Sequence, residues 1–283
     1  MEGKIIKIVG NSCTVSSNNN NYECLFSGKL KYNNISLLVG DTVIFDKDTK
    51  VIEKVLPRKN SLIRPPISNV DQAIVVISCK EPTLSLELLD KLLLIIEHNN
   101  IKPIICFTKY DLLNSSGKKE ILKYKAYYES LYYNVYINDE VNNILKLLKN
   151  NITVLAGQTG VGKSTLLNTL DKTLHLKTGV VSKIKRGKHT TRCVELLNIN
   201  KGLIADTPGF SQLSFINITK EDIKKGFRDI QKYKSLCKYN NCDHINEDRC
   251  AIKDKVLDGI ILESRYINYK KFIEEKSKEN IYD

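Results

Sequence analysis

Gly157-Gln158-Thr159-Gly160-Val161-Gly162-Lys163-Ser164 has the spacing of a loop built to hold phosphates. Its glycines let successive backbone N–H groups turn toward an anion, Lys163 has the reach for the β- and γ-phosphates of a nucleotide, and the Ser164 hydroxyl suits Mg²⁺. With Thr165 on the next helical position, the whole run 157–165 is expected to contact nucleotide. The flanks agree with that chemistry, because an apolar strand pattern ends at Ala156 and a helix opens near Gly162. Asp206-Thr207-Pro208-Gly209 follows another strand pattern, 203–205, which places the Asp206 carboxylate beside Mg²⁺ and the Gly209 N–H toward the γ-phosphate. Thr108-Lys109-Tyr110-Asp111 ends a third strand pattern, 102–107. A carboxylate there accepts two hydrogen bonds, from guanine N1–H and the exocyclic amino group, and adenine offers no matching donors. Thr108, Lys109 and Asp111 therefore form the candidate base-reading group, and the nucleotide is expected to be GTP.

Between the two phosphate motifs lies Gly187-Lys188-His189-Thr190-Thr191-Arg192. A threonine hydroxyl here can meet Mg²⁺ when the γ-phosphate is present, and Thr191, immediately before Arg192, is favoured over Thr190. The position after Gly209, where a water-orienting glutamine is common, holds Phe210. His189 is the nearest imidazole in these loops and is the candidate to position the attacking water. His189, Lys163 and Thr191 thus form the candidate catalytic set, and Ser164, Thr191 and Asp206 the magnesium set. A separate cluster, Cys237-x₄-Cys242-x-His244-x₅-Cys250, supplies three thiolates and an imidazole, a closed tetrahedral set for one structural Zn²⁺. Cys13, Cys24, Cys79, Cys106 and Cys193 are scattered through apolar strand segments and read as core residues.

Three kinds of element must position these groups. Residues 1–64 show five short strand patterns, at 4–9, 13–15, 22–26, 42–45 and 51–55, separated by turn signals, which suits a small β-barrel of the oligonucleotide-binding (OB) type. The tract 57–66, with three prolines, reads as a linker. Residues 65–216 alternate strand and helix, with helices expected at 84–98, 117–131 and 140–148 and a hairpin at 194–199 and 203–205. That alternation implies a mostly parallel α/β sheet covered on both faces. Residues 217–283 turn to Lys/Glu-rich helical segments, 220–230 and 256–275, around the cysteine-rich turn. The reading is a three-domain chain: an OB barrel, an α/β P-loop domain and a helical zinc domain.

Composition narrows the partners. The chain has 283 residues, 44 Lys and Arg against 32 Asp and Glu, a formal net charge of +12 and no Trp. No apolar stretch approaches the roughly 18 residues of a membrane span, and the N-terminus lacks a secretory layout, so no membrane partner and a reducing cytoplasm are expected. The excess charge spreads as +4, +6 and +2 over the three segments. The dense exception is 172–192, where Lys172, Lys177, Lys183, Lys185, Arg186, Lys188 and Arg192 occur without a carboxylate, as a surface for phosphate or RNA would require.

The order of the motifs is unusual. Ordinary GTPases place the base-reading motif last, whereas here 108–111 precedes 157–164 and 206–209 comes at the end, so the domain is circularly permuted. With the barrel and the Cys₃His cluster, this order resembles the RsgA (YjeQ/YloQ) family of bacterial small-subunit-dependent GTPases over the whole chain. The resemblance extends to Arg58-Lys59-Asn60-Ser61-Leu62-Ile63-Arg64 and Asn69-Val70-Asp71-Gln72. It implies a late-acting assembly factor that binds the 30S ribosomal subunit and 16S rRNA and hydrolyses GTP to GDP with 30S stimulation. It also implies a catalytic role for His189 and inhibition by the guanosine tetra- and pentaphosphates (p)ppGpp; a cytoplasmic monomer is expected. Two positions depart from the common pattern. Thr108 stands where Asn is usual, and Tyr136-Ile137-Asn138-Asp139 lacks the Ser-Ala loop that ordinarily faces the base. Two other readings compete: an RNA-binding module using nucleotide only as a switch, for which Phe210 argues, and a P-loop ATPase acting on a small molecule, against which Asp111 argues.

Overall fold

The computed structural model describes residues 1–28, 36–63, 65–138, 140–175, 194–205 and 218–279. Strands β1 (Glu2–Val9), β2 (Ser12–Ser17), β3 (Asn20–Phe26), β4 (Thr42–Phe45) and β5 (Val51–Val55) close into a barrel in the order β1-β2-β3-β5-β4. The two-residue side-chain period turns Ile5, Cys13, Val15, Cys24, Val43, Phe45 and Ile52 into one small core. Gly3 is required in that wall, because a Cβ would stand 2.4 Å from Val15 Cγ1.

The tract 57–66 is not a plain linker. Ser61–Leu62 (β6) pairs antiparallel with Ile67–Ser68 (β7), Ile67 is fully buried, and Leu62 joins the core of the central domain. Arg58 explains the order: its guanidinium donates to both oxygens of the buried Asp41, at 2.6 and 2.8 Å, and to Ser36 O at 2.5 Å. Ser68 Oγ adds a 2.6 Å bond to Asp41. Polar pins of this kind leave no trace in a proline count.

The central sheet comprises β8 (Gln72–Ser78), β9 (Lys102–Thr108), β10 (Asn134–Ile137), β11 (Ile152–Ala156), β12 (Leu196–Ile199) and β13 (Gly202–Ala205) in the order β10-β9-β8-β11-β13-β12. All neighbours are parallel except β12 and β13. Every residue of β8 and β11 is buried, as a sheet covered on both faces demands. Helices α1 (Leu86–His98), α2 (Ser115–Ser130), α3 (Val141–Leu148) and α4 (Lys163–Leu170) intervene, and the caps Ser85 and Asn114 start the first two. β12 begins two residues later than expected. Glu195 instead bridges to Lys7 of β1, with the carboxylate 3.1 Å from the ammonium, and so ties the barrel to the sheet. The junction between α3 and β11 is sealed to the β12–β13 turn: Asn150 N donates to Lys201 O at 3.0 Å, and a Cβ on Gly202 would sit 1.9 Å from Leu148 O.

In the C-terminal part both expected helices are broken in two. Lys220–Gly226 (α5) and Arg228–Tyr233 (α6) are separated by Phe227, extended at φ −92 and ψ 91 and buried. The break lets Gly226 lie flat on α1, where a Cβ would be 2.2 Å from Leu94 Cδ1. Ala251–Leu257 (α7) ends ahead of Gly259, at φ +69, and Glu263–Glu279 (α8) starts afresh. Leu94 and Ile95 of α1 belong to the core of this helical part. At that seam Arg265 is 1% exposed and donates to Asp90 Oδ1 at 2.6 Å and to Asp229 at 3.0 and 3.0 Å. Tyr128 and Asn268 donate to Asp90, and Tyr127 to Asp229, each at 2.7 Å. Among the described residues no helix is long and apolar enough to cross a membrane.

Candidate functional site

The carboxyl ends of β8, β9 and β11 share one edge of the sheet, where α/β folds place their ligands. From β11 the chain enters the loop 157–162 and then α4. Gly157, Gly160 and Gly162 take φ values of 140, 85 and 99, a region open to glycine and strained for other residues. Gly157 has a second reason: a Cβ would lie 2.3 Å from Val76 O of β8. Lys163 Nζ donates to Gly157 O at 2.8 Å and to Gln158 O at 2.7 Å, so the ammonium lies across the concave loop. Ser164 is half-buried in the first turn of α4, while Thr159, Gly160 and Thr165 are exposed and Val161 is buried. Backbone N–H groups at a helix start, a fixed ammonium and a hydroxyl together suit an anion and a hard cation.

The candidate base-reading residues meet this loop despite their distance in sequence. Thr108 is buried at the end of β9, and its hydroxyl donates to Val161 O at 2.6 Å. Gly162 packs on the same side chain, a Cβ there being 3.8 Å from Thr108 Oγ1. Thr108 therefore clamps the two motifs together. Lys109 takes φ 59 and its ammonium donates to Glu81 O, while Asp111, in the short turn Tyr110–Leu112, is exposed. The loop after β8 thus belongs to the site, with Pro82 Cδ 3.9 Å from a Cβ built on Gly160. The sequence reading missed it; the signal was its place after a central strand, level with Thr108 and Gly157. His189, Thr190, Thr191, Asp206, Gly209, Phe210 and Cys193 lie outside the described residues, as does the basic run from Lys177 to Arg192.

The second cluster is complete. The ligand atoms of Cys237, Cys242, His244 and Cys250 all lie within 4.8 Å of one another. His244 Nδ1 is 3.5 Å from the sulfurs of Cys237 and Cys250, which are 3.9 Å apart. A tetrahedral centre with metal–sulfur bonds of about 2.3 Å and metal–nitrogen bonds of about 2.0 Å separates its ligand atoms by roughly 3.5–3.8 Å, so the residues fit zinc. Burial pushes the Cys242 thiol up to about 12, raises Cys250 and lowers His244. The imidazole is thus kept neutral, as a ligand must be, and a divalent cation supplies the charge that thiolates need. Tyr266 and Tyr269 of α8 hold the loop, donating to His244 O at 2.7 Å and to Asp243 O at 2.9 Å. Glu247 accepts from the N–H groups of Asp243 and Ile245 at 2.5 and 2.9 Å. The sequence reading did not single out these two tyrosines, which stand three residues apart on one helix.

Comparison with known proteins agrees with this architecture. Residues 55–216 match the family model "RsgA GTPase" and residues 2–51 the model "RsgA N-terminal domain". The chain is 45% identical to the small ribosomal subunit biogenesis GTPase RsgA of Bacillus cereus and 43% identical to RsgA 2 of Listeria monocytogenes, each alignment covering 97% of both chains. It superposes on the crystal structure of YloQ, described as a circularly permuted GTPase, with a TM-score of 0.83 and 37% identity over 98% of this chain and 95% of that one. YjeQ from Thermotoga maritima gives 0.83 and 31%, over 97% and 98%. With a permuted sheet that joins the turn at 108–111 to the glycine loop 157–162, behind an N-terminal barrel, these matches identify the chain as a member of the RsgA family of circularly permuted GTPases.

Proposed function

We propose that this GTPase acts in biogenesis of the small ribosomal subunit, binding the 30S particle and its 16S rRNA and hydrolysing GTP faster when bound there. The observation that carries the reading is the 2.6 Å bond from Thr108 to Val161 O, which joins the base-reading turn to the phosphate loop in one crevice. In this reading Asp111 accepts from guanine N1–H and the 2-amino group, and Lys163 leaves the loop carbonyls for the β- and γ-phosphates. Ser164, Thr191 and Asp206 would hold Mg²⁺, which, when bound, offsets charge on the phosphates. His189 orients the attacking water, and the basic run 172–192 carries it to rRNA phosphates. We assign 1–64 as an RNA-facing barrel, 65–216 as the GTPase and 217–283 as a helical domain whose Cys237, Cys242, His244 and Cys250 hold zinc.

Single-turnover hydrolysis of GTP and ATP, with and without purified 30S subunits, tests the reading. GTP hydrolysis stimulated by 30S and absent with ATP is expected. ATP preference overturns the base assignment, and a rate indifferent to 30S overturns the ribosomal one.

A further inference from the structure

Asp111 accounts for two of the three polar groups on the Watson–Crick edge of guanine, both donors; the third, O6, is an acceptor and needs a donor. Among the described residues, five backbone N–H groups near the site are already committed. Ile137 N donates to Glu140 Oε2 at 2.8 Å, Asn138 N to Phe107 O at 2.9 Å and Glu140 N to Ile137 O at 2.9 Å. On the neighbouring strand, Cys79 N donates to Thr108 O at 2.9 Å and Lys80 N to Ser78 Oγ at 3.3 Å.

One buried side-chain oxygen at this edge is unpaired. Asn138 Oδ1 is buried and has no hydrogen-bond partner, the single such side-chain atom among the described residues. Its position follows from the ladder: Ile137 is in register with Phe107, so Asn138 is the next step along β10 as Thr108 is along β9. The residues on either side are held, since Lys125 Nζ donates to Val135 O at 2.6 Å and to Glu140 Oε2 at 3.0 Å. A buried amide oxygen left unpaired costs stability unless a ligand repays it. A half-turn about Cβ–Cγ exchanges the carboxamide ends, so the same place presents either an acceptor or a donor.

From this geometry we propose that the side-chain amide of Asn138 reads guanine O6, through Nδ2, and so contributes to nucleotide specificity from the loop after β10. The proposal rests on the guanine reading of Asp111. It gives this chain a side-chain contact where its sequence lacks a Ser-Ala loop.

Competition against a fluorescent GDP analogue tests it, using GDP, ADP, 6-thio-GDP and the diphosphate of 2,6-diaminopurine riboside on the full chain. Asn138→Ala should bind GDP about tenfold more weakly and lose the preference for GDP over 6-thio-GDP, whose sulfur is a poor acceptor. Asn138→Asp keeps the shape but presents only acceptors. Its preference for GDP over the diaminopurine nucleotide, which carries a donor at position 6, should fall at least tenfold. Unchanged GDP binding by Asn138→Ala, or an equal loss for GDP and 6-thio-GDP, overturns the proposal while leaving the guanine reading intact. Wild-type protein that binds ADP as well as GDP overturns both.

Discussion

Replacing Arg265 by Met removes the cation that the fold has buried between two carboxylates. Arg265 sits between Asp90 of α1 and Asp229 of α6, none more than 2% exposed, and makes three bonds of 2.6, 3.0 and 3.0 Å. Its guanidinium also stacks 4.5 Å from the Phe227 centroid, a contact that the thioether largely keeps. What is lost is the cation, leaving two carboxylates without water or counter-charge. Removing one partner of a buried pair costs about 3–5 kcal/mol, and each 1.4 kcal/mol is a factor of ten. Hydrogen exchange of the α8 amides should therefore quicken about 10²–10⁴-fold if this seam opens as a unit. The pH dependence has a definite sign. In the native protein burial pushes Asp229 up, but the Arg265 charge and its hydrogen bonds outweigh this and leave the carboxyl below its ordinary value. At Asp90 burial wins and the carboxyl is raised. Without the arginine both rise, so the folded variant binds more protons than the unfolded chain and its stability falls as pH rises. The deficit relative to wild type should be largest near neutrality and shrink toward pH of about 5. The triple variant Asp90→Asn, Arg265→Met, Asp229→Asn should recover most of the loss. A deficit under about 1 kcal/mol in Arg265→Met, or one that grows toward low pH, would refute the reasoning.

Three further outcomes are expected. Gly157→Ala brings a Cβ within 2.3 Å of Val76 O at a φ of 140 and should lower stability by about 1–3 kcal/mol while weakening nucleotide binding, measured by urea unfolding and equilibrium titration. Thr108→Val removes the bond to Val161 O and leaves that buried carbonyl unpaired; GDP affinity should fall about tenfold, and unchanged affinity would show that the clamp is dispensable. Elemental analysis should find about one zinc per chain, lost in Cys242→Ser together with helical signal from the C-terminal part.

Much of this site was legible because its chemistry is local. The phosphate loop needs glycines at fixed offsets, and the structure gives Gly157, Gly160 and Gly162 the positive φ values that explain them. The Cys₃His set was readable because soft ligands this dense have few other uses. The barrel followed from turn spacing, with strand ends off by one or two residues. What was not legible depends on distant partners. Phe227 splits a helix because Gly226 must press on Leu94, more than a hundred residues away in sequence. The segment 57–63 is pinned because Arg58 finds Asp41. Tyr127, Tyr128, Asp90, Asp229 and Arg265 scarcely differ in sequence from surface residues, and only packing brings them together.

The strand order also has a consequence for how the protein is made. β8 lies between β9 and β11, but synthesis delivers β8, β9 and β10 first and β11 only after residue 156. Until β11 emerges, β8 can pair with β9 on one side only, and its other edge of seven apolar-rich residues, Gln72–Ser78, has no partner strand. The candidate base-reading turn, 108–111, has then been made, and the phosphate loop, 157–164, has not. A nascent chain of this topology cannot be rescued by nucleotide at that stage, and its need for a chaperone should peak before the first glycine of the loop leaves the exit tunnel.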